Sequence, residues 1–201
     1  FSRTAMEALR QPLEDAQVTI SRVNASLTYP CAFMLVAAMN PCPCGYLGHP
    51  TRPCHCSPNA RRAYLARVSG PLLDRVDLHI EVPPVEFDQL TAGERAESSA
   101  VIRERVNAAR ARQLRRYQGT PVTCNAQVPP RLLREVCRMT PAAETLLRGA
   151  FDRLGLSARA YDRLLKVART VADLDGADVI DAAHVAEAVQ YRSLDRKYWQ
   201  G

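Results

Sequence analysis

The sequence predicts a two-part chain: a mixed α/β part carrying a β-hairpin, followed by an all-α bundle. Three observations lead there. Residues 18–21 and 25–30 alternate apolar and polar positions around Arg22-Val23-Asn24, the pattern of a hairpin. Residues 32–39 (AFMLVAAM) are continuously apolar and stop at Asn40-Pro41, as a strand buried on both faces would. From Pro129 onward the apolar positions follow helical spacing, with turns at Thr140-Pro141, Gly155-Leu156-Ser157 and Asp175-Gly176-Ala177.

Taken in order, residues 2–14 read as an amphipathic helix, capped by Ser2 or Thr4, with Met6, Leu9 and Leu13 on one face. In the hairpin 18–30, Val18 and Ile20 share a face with Leu27 and Tyr29. A cysteine-rich loop fills 41–57, and 58–67 form a helix with Ser57 as cap and Pro58 in its first turn. Residues 76–82 (VDLHIEV) alternate cleanly up to Pro83-Pro84 and predict a second, less buried strand. Residues 94–117 carry an apolar stripe of Ile102, Val106, Ala109 and Leu114, with arginines opposite. The remaining helices are expected near 129–138, 141–154, 157–174 and 180–191. The expected domains are therefore 1–93, a basic helical connector over 94–118, and a helical domain over 119–201.

Composition narrows the chemistry. The 201 residues are 47% hydrophobic and 24% charged, the balance of a folded chain with an ordinary core. No apolar run approaches the ~18 residues of a membrane span, so no membrane partner is expected. The formal net charge of +6 favours an anionic partner. Among the 27 basic residues only Lys166 and Lys197 are lysine, and neither follows a glycine. A phosphate-binding loop needs Gly-Lys before Ser or Thr, so this chain contains none. The seven cysteines are an odd number with four crowded together, which suits a reducing, cytoplasmic setting with one metal site better than a disulfide framework.

Five motifs can carry chemistry. Cys42-Pro-Cys44 and Cys54-His-Cys56 form two Cys-x-Cys pairs nine residues apart. Four thiolates close a tetrahedral shell around Zn2+ and leave no open position, so the role is structural. His49 or His55 can replace a thiolate, and four unliganded cysteines are the plain alternative. Asn40, at the end of the apolar run, lies where open parallel sheets place ligands; a simple Asn-Pro turn would look the same. Arg75, after a Gly-Pro break, can reach a phosphate across a subunit boundary or make a local salt bridge. Arg159 opens a helix, where a cation opposes the helix dipole unless an anion compensates it; a solvated arginine is the plain alternative. The run Arg103, Arg105, Arg110, Arg112, Arg115 and Arg116 is a nucleic-acid stripe or, with Glu94, Glu97 and Glu104 on the same helix, a salt-bridged solvent face.

Several blocks together resemble a known family. Phe1-Ser-Arg-Thr-Ala-Met-Glu-Ala-Leu-Arg-Gln-Pro-Leu-Glu14, Val18–Arg22, Ala37-Ala-Met-Asn-Pro-Cys-Pro-Cys-Gly45, Ser69–Leu78, Leu156–Arg163, Ala168–Leu174 and Gln190–Arg196 resemble the magnesium-chelatase-like AAA+ ATPases of the ComM/YifB type. The resemblance implies the C-terminal part of an AAA+ α/β core with a hairpin insertion, followed by a helical lid bundle. It implies that the Walker A and Walker B motifs lie upstream of Phe1, so that this chain alone is expected to be inactive toward ATP. By resemblance Asn40 is sensor 1, Arg75 the trans-acting arginine finger and Arg159 sensor 2. The resemblance also implies that the hairpin 18–30 faces the pore of a homo-hexamer, where Arg22 and Asn24 at its tip are the expected DNA contacts. The cofactors implied are ATP with Mg2+, beside structural Zn2+ at the cysteines. The activity implied is an ATP-driven motor on DNA, a helicase or branch-migration enzyme linked to recombination and natural transformation. Two other readings compete: a magnesium or cobalt chelatase motor subunit, against which the cysteine loop counts, and a zinc-containing nucleic-acid-binding module.

Overall fold

A computed structural model of the chain describes residues 1–23, 25–85 and 96–192. It divides into two compact units, one over residues 1–76 and one over residues 77–192. The expected boundary at 93/94 lies outside the described residues.

The first unit opens with two short helices, α1 (Arg3–Ala8) and α2 (Arg10–Asp15), where one longer helix is expected. The Ser2 side chain accepts the Ala5 N–H and caps α1. Ala16 then turns left-handed at φ 52°, and its carbonyl accepts the Cys31 N–H at 2.7 Å, closing the base of the hairpin. The strands β1 (Gln17–Arg22) and β2 (Ala25–Pro30) pair antiparallel, with Val18 opposite Tyr29 and Ile20 opposite Leu27. One face therefore carries the apolar pairs. The other carries two hydroxyl pairs, Thr19 with Thr28 at 2.9 Å and Ser21 with Ser26 at 3.1 Å. The hairpin matches the register expected from the alternation.

The apolar run 32–39 forms no strand among the described residues, and this corrects the strand expected over 32–40. It joins neither strand of the hairpin, and Met34 is 88% and Val36 86% exposed. The second expected strand, 76–82, is likewise not formed among the described residues: Ile80 and Val82 are exposed, and the His79 N–H donates to Tyr191 O at 2.8 Å. The reason is that a strand is stabilised by ladder partners, and the sheet among the described residues has only β1 and β2. Two further short helices follow in this unit. α3 (Pro58–Leu65) is capped by Ser57, as expected. α4 (Gly70–Leu73), capped by Ser69, occupies what reads in sequence as a break, and buries Leu72.

In the second unit, α5 (Ser99–Arg116) leads through a 3₁₀ turn at Asn125–Gln127 into α6 (Pro130–Val136), α7 (Pro141–Leu154), α8 (Ala158–Leu174) and α9 (Ala182–Gln190). Four of these five helices have a side-chain cap, and α6 instead begins with Pro130 in its first turn. Ser98, Thr140, Ser157 and Asp181 accept first-turn N–H groups. Gly155, left-handed at φ 58°, closes α7 by donating to Phe151 O. The core gathers Leu133, Ala143, Leu147, Leu164, Leu165, Ala168, Ala172, Ile180 and Val185 around α8. A single parallel bridge, Met139 to Ile180, ties the turn before α7 to the turn before α9. His184 completes the cap of α9: its Nδ1 accepts the Asp181 N–H at 2.9 Å, and its Nε2 meets the Asp175 carboxylate at 3.1 Å.

Candidate functional site

The cysteine loop converges on one point. Gly45 takes φ 82° and donates its N–H to Cys42 O at 3.0 Å, folding Cys42–Gly45 into a tight turn. Cys54 and Cys56 close from the other side, and all four sulfurs lie within 4.8 Å of one another. The Cys42–Cys44, Cys44–Cys54 and Cys42–Cys54 separations are 3.4, 3.6 and 3.7 Å. Bonds of about 2.3 Å in a tetrahedron place sulfurs about 3.8 Å apart, so the donor set fits a zinc-sized ion. All four cysteines are free thiols. Cys42 is buried, Cys54 and Cys56 are half-buried, and Cys44 is exposed.

Electrostatics point the same way. The Tyr46 N–H donates to Cys44, and this, with its thiol neighbours, brings the Cys44 pKa down to about 6. The Cys44 N–H likewise favours the Cys56 thiolate, but the Cys44 thiol and burial outweigh it and push Cys56 up to about 12. Cys54 behaves similarly: the Cys56 N–H favours its thiolate, while burial and the Cys44 and Cys42 thiols raise it overall. One thiolate forms readily and further ones resist, because clustered negative charge has no counter-cation. A divalent metal supplies that charge and releases the remaining protons.

The two histidines of the loop stand outside the thiol set. His49 Nδ1 accepts the backbone N–H groups of Thr51 and Arg52, both at 3.2 Å, so it shapes the loop. Its ring packs edge-on against Tyr46 with centroids 5.7 Å apart. His55 is exposed. Of the three other cysteines, Cys137 is buried, and burial raises its pKa to about 11; Cys31 and Cys124 are half-buried.

The remaining candidates are placed separately. Asn40 is exposed, and its amide lies 3.8 Å from where a Cβ on Gly45 would sit, against the cysteine turn. Arg75 is held within its own unit, its side chain only 10% exposed. It pairs with Glu14, while its Nε donates to Arg10 O at 3.1 Å and its Nη1 to Pro71 O at 2.6 Å. This carboxylate partner, Glu14 from α2, lies far from it in sequence. Arg22 ends β1 opposite Ala25 and is exposed at the hairpin tip; Asn24 lies outside the described residues. Arg159 is exposed in the first turn of α8, in the second unit.

The connector arginines divide by role. Arg105 grips Glu97 with both Nη groups, at 2.8 and 3.0 Å, as a solvent-face pair. Arg116 turns inward and makes a two-pronged pair with Asp173, a residue with no exposed side-chain surface. Asp173 also meets Arg169 at 3.2 Å and accepts from Asn125 Nδ2 at 2.8 Å. Tyr117 OH donates to Asn125 Oδ1 at 2.7 Å. Arg169, fully buried, donates to the carbonyls of Ala177 and Asp178. Burial alone would raise the Asp173 pKa; hydrogen bonds from Arg116 and Asn125 and the Arg169 charge hold it below the usual carboxylate range. The sequence reading took Arg116 for surface and passed over Asp173. The available signal was the spacing of Arg169 and Asp173, four apart on the face of α8 that carries Leu165, Ala168 and Ala172.

With this geometry in hand, the class of the protein follows. The model for "Magnesium chelatase, subunit ChlI" matches residues 1–90, and that for the ChlI C-terminal region matches residues 96–192. The chain belongs to the magnesium chelatase ChlI family. It is 45% identical over 199 residues to the uncharacterized protein YifB of Escherichia coli K12. It is 44% identical over 198 residues to the competence protein ComM of Haemophilus influenzae, and 40% identical over 194 residues to an uncharacterized protein of Mycobacterium tuberculosis H37Rv. These matches cover 98%, 98% and 96% of this chain. The chain spans 38% of the length of each of these relatives.

Proposed function

We propose that this chain is the C-terminal part of a hexameric AAA+ motor that moves DNA strands during recombination. The observation that carries the reading is the order of parts: hairpin, Asn40, cysteine centre and Arg75, then a helical domain with Arg159 in the first turn of α8. The likeness to a competence protein supports DNA as substrate, since competence is the uptake of DNA. In this reading residues 1–93 belong to the AAA+ core, 94–118 are the connector and 119–201 the lid.

ATP with Mg2+ would be cradled by phosphate-binding residues in the remainder of a longer protein, since neither lysine here follows a glycine. The contribution of this chain is to position and complement charge. The Asn40 amide holds a water by hydrogen bonds, and the Arg75 and Arg159 guanidinium groups offer fixed positive charge to phosphate oxygens. Arg22 would meet the DNA backbone, six copies forming a ring of charge that grips without reading sequence. Zn2+ on Cys42, Cys44, Cys54 and Cys56 would hold the loop beside Asn40 in one shape. None of the described helices is long and apolar enough to cross a membrane, and the free thiols suit a cytoplasmic setting.

The test is Arg22→Ala in the full-length protein, read by ATP hydrolysis and by migration of a branched DNA in parallel. Retained hydrolysis with lost migration is the expected result. Unchanged migration would remove the DNA contact from the hairpin.

A further inference from the structure

The cysteine centre carries a surface that the motor reading does not use. Residues 16–73 contain five arginines and not one aspartate or glutamate. The chain's average of 21 acidic residues in 201 would place about six there. Four of those arginines, Arg52, Arg61, Arg62 and Arg67, sit in the cysteine loop or on and just after α3, the helix that follows it. None of the four makes an ion pair with a carboxylate among the described residues, and Arg52, Arg62 and Arg67 are exposed. Four arginines elsewhere find a carboxylate: Arg10 with Glu7, Arg75 with Glu14, Arg105 with Glu97, and Arg163 with Asp77. Around the cysteine loop and α3 the stretch 16–73 offers no carboxylate of its own, so this positive charge is not offset locally.

Two of these arginines are mounted on aromatic rings. Arg52 lies 5.5 Å from the Tyr46 ring centroid and donates to the Tyr46 hydroxyl at 3.1 Å. Arg67 lies 5.9 Å from the Tyr64 centroid. Arg62 is steadied by Asn59 Oδ1 at 2.7 Å. Holding a guanidinium in place lowers the entropy lost when it meets a phosphate, and guanidinium planes and tyrosine rings both stack on bases. A membrane surface would call for bulky apolar side chains at the exposed tip, and the exposed positions of 48–53 are Gly48, Pro50, Thr51, Arg52 and Pro53.

We propose that the segment Cys42–Arg67 is a contact surface for single-stranded nucleic acid. It grips phosphates with Arg52, Arg62 and Arg67 and stacks bases on the Tyr46–Arg52 and Tyr64–Arg67 pairs. The proposal rests on the nucleic-acid part of the reading above and adds a contact there that is separate from Arg22. The four cysteines hold the platform, and the arginines and tyrosines do the binding.

The experiment is a salt titration of binding between the 201-residue chain and a fluorescent 30-mer of oligothymidylate. The variants are the triple Arg52→Ala/Arg62→Ala/Arg67→Ala, the single Tyr64→Leu, and Arg22→Ala. Metal content and circular dichroism confirm that each is folded. The triple variant is expected to bind at least tenfold more weakly at moderate salt. Its log-affinity against log-salt slope should flatten by about 2, at roughly 0.7 per phosphate contact on single strands. Tyr64→Leu should lose about fivefold or more, the range of base–aromatic stacking. Binding of the folded triple variant within twofold of wild type overturns the proposal. So does tighter binding of a 30-base-pair duplex, or competition by polyglutamate as strong as by unlabelled oligothymidylate. Loss confined to Arg22→Ala overturns this proposal and leaves the DNA reading standing. No binding of any DNA by the wild-type chain at low salt overturns both.

Discussion

Arg75 and Glu14, 61 positions apart in sequence, form an ion pair that ties the segment after α4 to α2. The guanidinium is further held by the carbonyls of Arg10 and Pro71. An arginine that acts on a phosphate of a neighbouring subunit must exchange Glu14 for that phosphate. In the full-length protein, Arg75→Ala is therefore expected to cut ATP turnover about a thousandfold or more while nucleotide affinity changes little. Glu14→Gln, which keeps the hydrogen bond but removes the charge, should leave turnover equal to wild type or higher. Equal losses of turnover and affinity in Arg75→Ala would make the residue a structural clamp only.

The cysteine centre predicts a stoichiometry. Protein purified without added metal should carry one zinc per chain by elemental analysis. Cys42→Ser, at the buried ligand, should lose it. The high Cys56 pKa also has a consequence that can be read directly. Zinc added to the metal-free chain at neutral pH should release protons, because the raised Cys54 and Cys56 thiols are still protonated there. Affinity should fall as pH drops toward the Cys44 value of about 6. Zinc uptake without proton release would contradict the thiolate shell.

The Arg116–Asp173–Arg169 network contributes to the acid limb of stability in the helical unit. Asp173 has a folded-state pKa below its ordinary value of 3.8. Its contribution is therefore fully present above that ordinary value and is lost as pH falls through the lower folded-state pKa. Asp173→Asn leaves two arginines facing a neutral amide in the core, and breaking such a buried pair costs about 3–5 kcal/mol. Urea denaturation at pH 7 should show that loss. A pH series should show the parent losing stability more steeply than the variant as pH falls below 3.8, the remaining slope of the variant coming from groups such as Asp181.

Gly155 closes α7 with a left-handed residue that a Cβ disfavours. Gly155→Ala should cost about 1 kcal/mol without altering far-ultraviolet dichroism, since Gly155 has open space around it and only backbone strain is introduced. Thermal denaturation is the measurement.

How much was legible in the sequence follows from what each feature depends on. The hairpin register, the cap at Ser57, the turns at Thr140-Pro141 and Gly155-Leu156-Ser157 and the convergence of four cysteines are all local. Alternation, a hydroxyl before a helix and two Cys-x-Cys pairs within fifteen residues act over a few bonds, so a linear reading captures them. The short helix α4 was hidden because Gly70-Pro71 reads as a break, although proline suits a first helical turn.

The tertiary structure decided what depends on distant partners. The run 32–39 has the composition of a buried strand, but a strand needs a ladder, and none of the described residues supplies one. Arg116 and Arg105 look alike in sequence. One is buried on Asp173, 57 positions away, and the other pairs with Glu97 in solvent. Arg75 likewise finds Glu14, 61 positions away. The sequence by itself determined the local elements, the thiol set and the net positive charge. Which arginine is buried, which is paired and which is left open to an anion was settled only by folding. Long-range charge pairing depends on which carboxylate the packed helices bring within about 4 Å, and no local pattern records that.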